Sequence, residues 1–374
     1  MWLSAEEAQR RLGVKPQTLY ANVSRGRIAA RPDPVDPRRS LYNRDDVDRL
    51  ARRAAGRRRE DAIAAEAIDW GDPVLPSGIS TIVAGRLVYR GQDAADMSRT
   101  ATLEEIAELL WGGFPTYGAP GVSLSGETGI PRLFQMLAER VVRDRASHSV
   151  DVGRLREEAA SVLAAVAESL MGPGEGQLHA RLAGHFGRPK AADDLRRALV
   201  LLADHELNAS TFAARVAVST GASLAAGTLA GLAALSGPRH GSAAAAVAVL
   251  AEEFAGEGDP AEILRNWLGE RRAVPGFGHR LYPRGDVRAA ALLDAMDVPT
   301  SYVRLRQAAV AVIEEAANID FALAVLAARH RLPKTGPLEI FALARTVGWL
   351  AHMLEQAASG ALIRPRARYI GPVA

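Results

Sequence analysis

The sequence predicts a mainly α protein: a multi-helix body with a small β hairpin near its front, preceded by a small basic module. Three observations predict this. From residue 103 onward, apolar residues recur at a period near 3.6 in nine segments, 104–111, 132–144, 156–171, 193–207, 223–236, 243–255, 287–296, 304–316 and 339–356. Many of these are rich in Ala and Gly on several faces, which permits close helix approach in a buried, multilayered bundle. Ahead of them, residues 79–83 and 87–89 are short β-favouring runs flanking Ala84-Gly85-Arg86, the pattern of a hairpin. Finally, the net charge of +3 is uneven: residues 1–60 hold 15 basic against 8 acidic side chains, and the remainder 31 against 35. The basic surplus belongs to the front module and points to an anionic partner for that part alone.

That module reads helix, turn, helix, extended pair, helix. Ser4-Ala5-Glu6-Glu7 is a capping box that opens the first helix, Gly13 closes it, and Lys15-Pro16-Gln17 opens the second. This order resembles the winged helix-turn-helix of MerR-like and excisionase-like proteins, and the resemblance implies a domain over residues 1–55 whose second helix enters the DNA major groove. It would turn Gln17, Thr18, Tyr20, Asn22 and Arg25 toward the bases, with Arg27, Arg31, Arg38 and Arg39 neutralising phosphates. A protein-contact module is the other reading of the same segment. The basic run 52–60 leads into the body through a linker over residues 56–67.

At 374 residues and 48% apolar composition, the chain is long enough for two or three domains with a sizeable core. With no cysteine, neither a disulfide framework nor a Cys-ligated metal centre is possible, which suits a cytoplasmic protein. The N-terminus lacks a signal-peptide pattern and no apolar run reaches membrane-spanning length, so neither secretion nor a membrane partner is expected.

Candidate chemistry concentrates between His205 and His279, which lie in DHELNAST, GPRHG and PGFGHRLYPRGDVR contexts. Asp320 in NIDFA, Arg345 in FALARTVGW and Arg364 in IRPRARYIG follow. Removing a proton from a weakly acidic carbon requires a carboxylate base and, opposite it, a donor that stabilises the enolate oxygen. Asp320 stands in an apolar run where burial would raise its pKa and improve it as a base. His240 and His279 lie in Gly-bracketed turns, and Arg288, Arg345 and Arg364 can each fork onto a carboxylate, so the inventory fits carbon-acid chemistry on a di- or tricarboxylate. Zinc is not expected, because the histidines lack ligand spacing. His148, His179, His185, His330 and His352 have no convergent acid in the sequence and read as surface or packing residues.

These segments resemble the citrate synthase family, which includes the 2-methylcitrate synthases. The shared motifs are H-E-x-N-A-S-T, G-P-x-H-G, P-G-F-G-H-R-x-Y with D-x-R after it, N-x-D-F, F-A-x-A-R-x-x-G-W with A-H-x-x-E-Q, and I-R-P-R-x-x-Y-x-G; they extend upstream to G-R-L-V-Y-R-G-Q-D and cover residues 68–374. The resemblance implies the fold of that family, with a large domain over 68–240 and 329–374 and a small domain over 241–328. It implies an enzyme in which Asp320 deprotonates acetyl-CoA or another short acyl-CoA, His240 hydrogen-bonds the enol, and His279 protonates the oxaloacetate carbonyl. His205, Asn208, Arg288 and Arg345 would hold oxaloacetate, and Arg364 would reach the neighbouring site of a homodimer. Pro275, Gly276, Phe277, Gly278, Arg280 and Arg284 would meet CoA. No cofactor beyond these substrates is implied. The chain departs from the family at Ser242-Ala243-Ala244-Ala245, which is less polar than usual beside His240, and at Pro283, where a basic residue normally faces CoA. These departures and the basic front module support an alternative reading, a DNA-binding regulator that senses a metabolite.

Overall fold

The computed structural model describes residues 2–12, 19, 23, 28–33, 36, 39–44, 46–48, 75–113, 127–149, 151–238, 240, 241, 243–367, 369 and 371. The chain divides into two compact units, Met1–Pro76 and Ser77–Ala374. The linker and the domain boundaries expected at residues 55 and 67 lie outside the described residues.

In the first unit, helix α1 (Ala5–Leu12) begins with the expected capping box: Ser4 Oγ accepts from the Glu7 amide, and the Glu7 carboxylate accepts from the Ser4 amide at 2.9 Å. The extended pair is present as β2 (Ala30–Pro32) and β3 (Ser40–Asn43), antiparallel, and β1 (Trp2–Leu3) adds an unexpected third strand on the far side of β3. Leu3, Ala8, Leu19, Ile28, Tyr42 and Val47 form a small core of their own. The DNA-facing candidates Gln17, Thr18, Tyr20, Asn22 and Arg25 all lie outside the described residues. Arg31 stacks on the Trp2 ring at 4.4 Å, and Arg39 pairs with Asp36 at 3.3 Å.

The second unit opens with the hairpin, β4 (Ser80–Val83) and β5 (Arg86–Tyr89), whose two-residue turn places Ala84 at φ 52° and Gly85 at φ 79°. Both central residues are left-handed, the twist that a two-residue hairpin loop requires. The hairpin expected from the sequence is in fact a three-stranded sheet, because β6 (Gln92–Asp93) pairs back on β5. Among the described residues the elements after it are helices: α2 (Ala94–Met97), α3 (Leu103–Trp111), α4 (Ile130–Arg143), α5 (Val152–Met171), α6 (Leu178–His185), α7 (Ala192–Leu202), α8 (Ala209–Ser219), α9 (Leu224–Leu235), α10 (Ala243–Glu252), α11 (Pro260–Gly269), α12 (Val287–Leu293), α13 (Thr300–Ile313), α14 (Ile319–His330) and α15 (Gly336–Ser359).

The long α15 is the axis of the bundle, packed against α3, α5, α7, α8 and α9, and most of its residues are buried. A helix buried on every side brings its polar side chains into the interior with it, and this one carries Arg345 and His352. Close approach depends on small residues, as the composition suggested. In α9, a Cβ on Gly231 would come within 2.8 Å of the Trp349 ring, and one on Gly227 would overlap Met353.

Two helices depart from the sequence expectation in ways that matter for the site. The segment 193–207 was expected to stay helical, but α7 stops at Leu202 and the chain turns through Asp204–Leu207 with Glu206 at φ 49°. The segment 304–316 starts earlier, at Thr300, and ends when Glu314 adopts φ 56°. Periodicity did not foretell α6, α8 or α14, whose apolar residues are spread around the helix or interleaved with small polar ones, nor the short amphipathic α11, where Ile263, Leu264, Trp267 and Leu268 share one face.

Candidate active site

Three loops, two helix starts and the middle of α15 build the site. The first loop carries His205. Ser80 in β4 donates to Asp204 Oδ2 at 2.5 Å and accepts from the Glu206 amide at 3.0 Å, while the Ile82 amide donates to Glu206 Oε1 at 2.9 Å. The Tyr89 hydroxyl donates to the Val200 carbonyl at 3.0 Å. The sheet therefore clamps the end of α7, and this is what turns His205 inward.

The second loop carries His279. Residues 276–278 zip onto 316–318: Gly278 N donates to Ala316 O, Asn318 N to Gly276 O, and the Asn318 amide side chain to Gly278 O. Gly276 sits at φ 84° where a Cβ would come within 2.5 Å of Val247, so only glycine fits. The same Asn318 caps α14 through Oδ1, accepting from the amides of Asp320 and Phe321. Asn318, not Asp320, is thus the cap, and one zipper ties His279 to the first turn that bears Asp320.

Asp286 completes this arrangement. It caps α12, takes the Arg288 guanidinium through both oxygens at 2.9 and 2.7 Å, and accepts from the Ile319 amide at 3.1 Å. Arg288 keeps Nη1 free of that pair. Arg345 donates through Nε to the Leu202 carbonyl at 2.8 Å and lies 5.0 Å from the Phe341 ring centre. Among the described residues its two Nη groups have no hydrogen-bond partner.

The electrostatics follow from this geometry. Burial pushes His205 well below its ordinary range, helped by the charges of Arg288 and Arg345. Burial lowers His279 to about 4, with Arg288 adding to it, and His240 to about 4, with Arg345 adding to it. All three imidazoles are neutral at pH 7. Burial raises Asp320 to about 6 against the opposing pull of Arg288 and Arg345, and its Oδ1 is sealed from solvent without a partner. Burial also lowers Arg345 to about 10. Both guanidiniums thus act on His205 and Asp320, Arg288 also on His279 and Arg345 also on His240, which brings residues scattered over 140 positions of chain to one place.

The second histidine, His240, presents Nε2 to Ser210 Oγ at 2.9 Å. Ser210 also receives the Trp349 indole proton at 3.2 Å and lies 2.7 Å from Asn208 Oδ1. A hydroxyl has one proton, so Ser210 donates either to Asn208 or to His240, and the second arrangement leaves the imidazole proton on Nδ1. His279 is simpler. Its Nδ1 accepts from the Leu281 amide at 3.2 Å, so the neutral ring carries its proton on Nε2.

Some expected contacts fall elsewhere. Asn208 caps α8, its Oδ1 taken by Ser210 and Thr211, so a ligand could meet only Nδ2, itself 3.4 Å from the His205 carbonyl. Arg364 is exposed on the segment after α15. Arg280 and Pro275 flank the 276–278 turn, with Phe277 bridged to Ala317. Arg284 lines a cavity of about 140 Å³ beside His279, along with Tyr282, Asp286, Glu314 and Glu315. His352, His330 and His185 do have convergent acids, contrary to the sequence reading: Asp204 lies 3.1 Å from His352, Asp194 2.7 Å from His330 and the buried Glu339 3.6 Å from His185. Tyr282, Asp286, Ser210 and Trp349 were not singled out as site residues. Each lay inside a quoted motif, but an isolated Tyr, Ser or Trp carries no charge signal to mark it.

A family model for the citrate synthase C-terminal domain matches residues 142–366, which is more than half of the chain. The chain belongs to the citrate synthase family. It is 33% identical to the citrate synthase of Haloferax volcanii over 77% of this chain and 90% of that protein, and 31% identical to citrate synthase 2 of Bacillus subtilis over 79% and 93%. It is also 30% identical to the 2-methylcitrate synthase of Shewanella oneidensis over 79% and 92%. The citrate synthase crystal structure from Thermotoga maritima superposes with a TM-score of 0.66 at 27% identity, covering 81% of this chain and 95% of that one. A helix-turn-helix domain model matches residues 2–55. The body is therefore a citrate synthase-type enzyme module carrying a helix-turn-helix domain in front.

Proposed function

We propose that the protein condenses a short acyl-CoA with oxaloacetate and hydrolyses the resulting thioester. The observation that carries this reading is a carboxylate with one oxygen sealed and unpartnered, beside neutral imidazoles and two buried guanidiniums with free N–H groups. Asp320 takes a proton from the carbon next to the thioester. His240 donates from Nδ1 to the enol oxygen once Ser210 turns its hydroxyl toward Nε2. The enol carbon then attacks the ketone carbon of oxaloacetate, and the new alkoxide takes the proton that His279 carries on Nε2. Water, giving a proton back to His279 as it attacks, cleaves the thioester; the thiolate leaves with the proton held by Asp320, releasing CoA thiol and the tricarboxylate. Arg288 Nη1 and the Arg345 Nη groups, with His205, hold the carboxylates of the keto acid.

Closure of residues 241–328 over the rest of the body would exclude water until the carbon bond forms. Arg364 of the partner subunit would complete the anion site in a homodimer. The test is thiol release from acetyl-CoA plus oxaloacetate, with propionyl-CoA run beside it to rank the acyl groups. Absence of thiol release with both would refute the catalytic reading.

A second reading rests on the helix-turn-helix match over residues 2–55. In it the front domain binds DNA and the synthase-type body reports the metabolite. A mobility-shift assay across a salt series tests it: phosphate-dominated binding weakens steeply as salt rises. Retention of DNA binding without thiol release would make the protein a regulator, and thiol release without a DNA shift would leave the front domain as a protein-contact module.

A further inference from the structure

Tyr282 is the side chain that touches most of the site without carrying a charge. It is 3% exposed, its ring centre lies 5.0 Å from that of His279 and 5.6 Å from that of His205, and the Arg288 guanidinium sits 5.4 Å from it. Its hydroxyl lies 3.0 Å from His205 Nε2, and among the described residues it has no other hydrogen-bond partner. A buried phenol must place its proton, because a buried donor without an acceptor costs roughly 1–3 kcal/mol. Among the described residues the one acceptor within reach is His205 Nε2. Accepting there puts the proton of the neutral imidazole on Nδ1. His205 Nδ1 has no protein partner among the described residues, yet it is not one of the sealed, unpartnered atoms, so it opens toward the cleft.

We infer that Tyr282 is a positioning residue that fixes the tautomer of His205, so that Nδ1–H faces the cleft as a donor to the bound keto acid. The inference rests on the site described under Proposed function. It gives the three imidazoles distinct settings. Tyr282 sets His205, the Leu281 amide sets His279, and Ser210 sets His240 when its hydroxyl turns toward Nε2. None of these settings depends on a charged partner, which suits a site that must offer donors to an anion while keeping its imidazoles neutral.

The test is Tyr282→Phe, which keeps the ring packing and removes only the hydroxyl. Nitrogen NMR of protein labelled at histidine, with the His205 signals assigned through His205→Asn, should show wild-type His205 protonated on Nδ1, and Tyr282→Phe should shift its population toward Nε2–H. Oxaloacetate should bind roughly three- to tenfold more weakly to Tyr282→Phe. KM for oxaloacetate should rise by a similar factor while kcat changes less. The thermal unfolding midpoint should stay close to that of the wild type. Asparagine keeps an N–H near the Nδ1 position, so in the His205→Asn background the Tyr282→Phe change should cost almost nothing in oxaloacetate affinity. An unchanged His205 tautomer in Tyr282→Phe, or an undiminished penalty in the His205→Asn background, would overturn the inference. If wild-type protein bound no oxaloacetate, the function reading would fail, and the NMR comparison would still decide the role of Tyr282.

Discussion

Asp320 pairs a catalytic need with a folding cost. Its pKa is raised from 3.8 to about 6, so between these values the native state binds more protons than the unfolded chain. Stability therefore falls as pH rises through that window, and at pH 7 the ionised carboxylate destabilises the fold by on the order of 3 kcal/mol. Asp320→Asn should unfold at higher temperature than the wild type at pH 7, and the gap should close as pH drops toward 4. The histidines respond in the opposite sense. His205, His240 and His279 have depressed values, so their contribution is lost as pH falls below about 6.5. Because both proteins share them, the difference between wild type and Asp320→Asn isolates the aspartate. Turnover by the wild type should rise through a pH near 6 and then level off, and Asp320→Asn should lose at least about 10² to 10⁴ in kcat. A stable variant that kept full turnover would remove Asp320 from the base role.

At the scale of elements, the site depends on a junction more than on any helix. Asp286 ties the start of α12, the Arg288 guanidinium and the first turn of α14 together, and all three are buried. Burial works to raise the Asp286 carboxyl, and the Arg288 contact more than offsets it. Removing one member of such a pair leaves the other charge buried without compensation, which costs about 3–5 kcal/mol. Asp286→Ala should therefore lower stability by that order in a denaturant titration, and it should weaken oxaloacetate binding by releasing Arg288. The zipper between 276–278 and 316–318 is equally exacting. Gly276→Ala must strain a left-handed position and push against Val247 and Phe321, so it should lose activity along with about 1–3 kcal/mol of stability. The motif P-G-F-G-H marked this turn in the sequence. That its partner is the N-x-D-F segment forty residues later was not legible, because the zipper is made mostly of backbone hydrogen bonds, which carry no residue signature.

At the scale of the whole molecule, the exposed position of Arg364 bears on the proposed dimer. If Arg364 acts in the partner's site, co-assembly of Asp320→Asn and Arg364→Ala chains creates one site with both groups intact, and activity should return from two inactive parents. If Arg364 acts within its own chain, the mixture should stay inactive. The front unit, Met1–Pro76, has its own core, which fits a domain that folds separately from the body.

The sequence by itself determined the mainly helical class, the family, the capping box at Ser4 and the short list of histidines, arginines and one aspartate. Those features are local, since periodicity, turn residues and motif order are written in neighbouring positions. The tertiary structure alone decided which partner each polar group meets: that α7 stops at Leu202 under the clamp of Ser80 and Tyr89, that Asn208 serves as a cap, that His352 faces Asp204 across the interior, and that Tyr282 holds His205. These contacts join positions far apart in the chain, and what sets them is the need of each buried donor and acceptor to find a partner once water has gone.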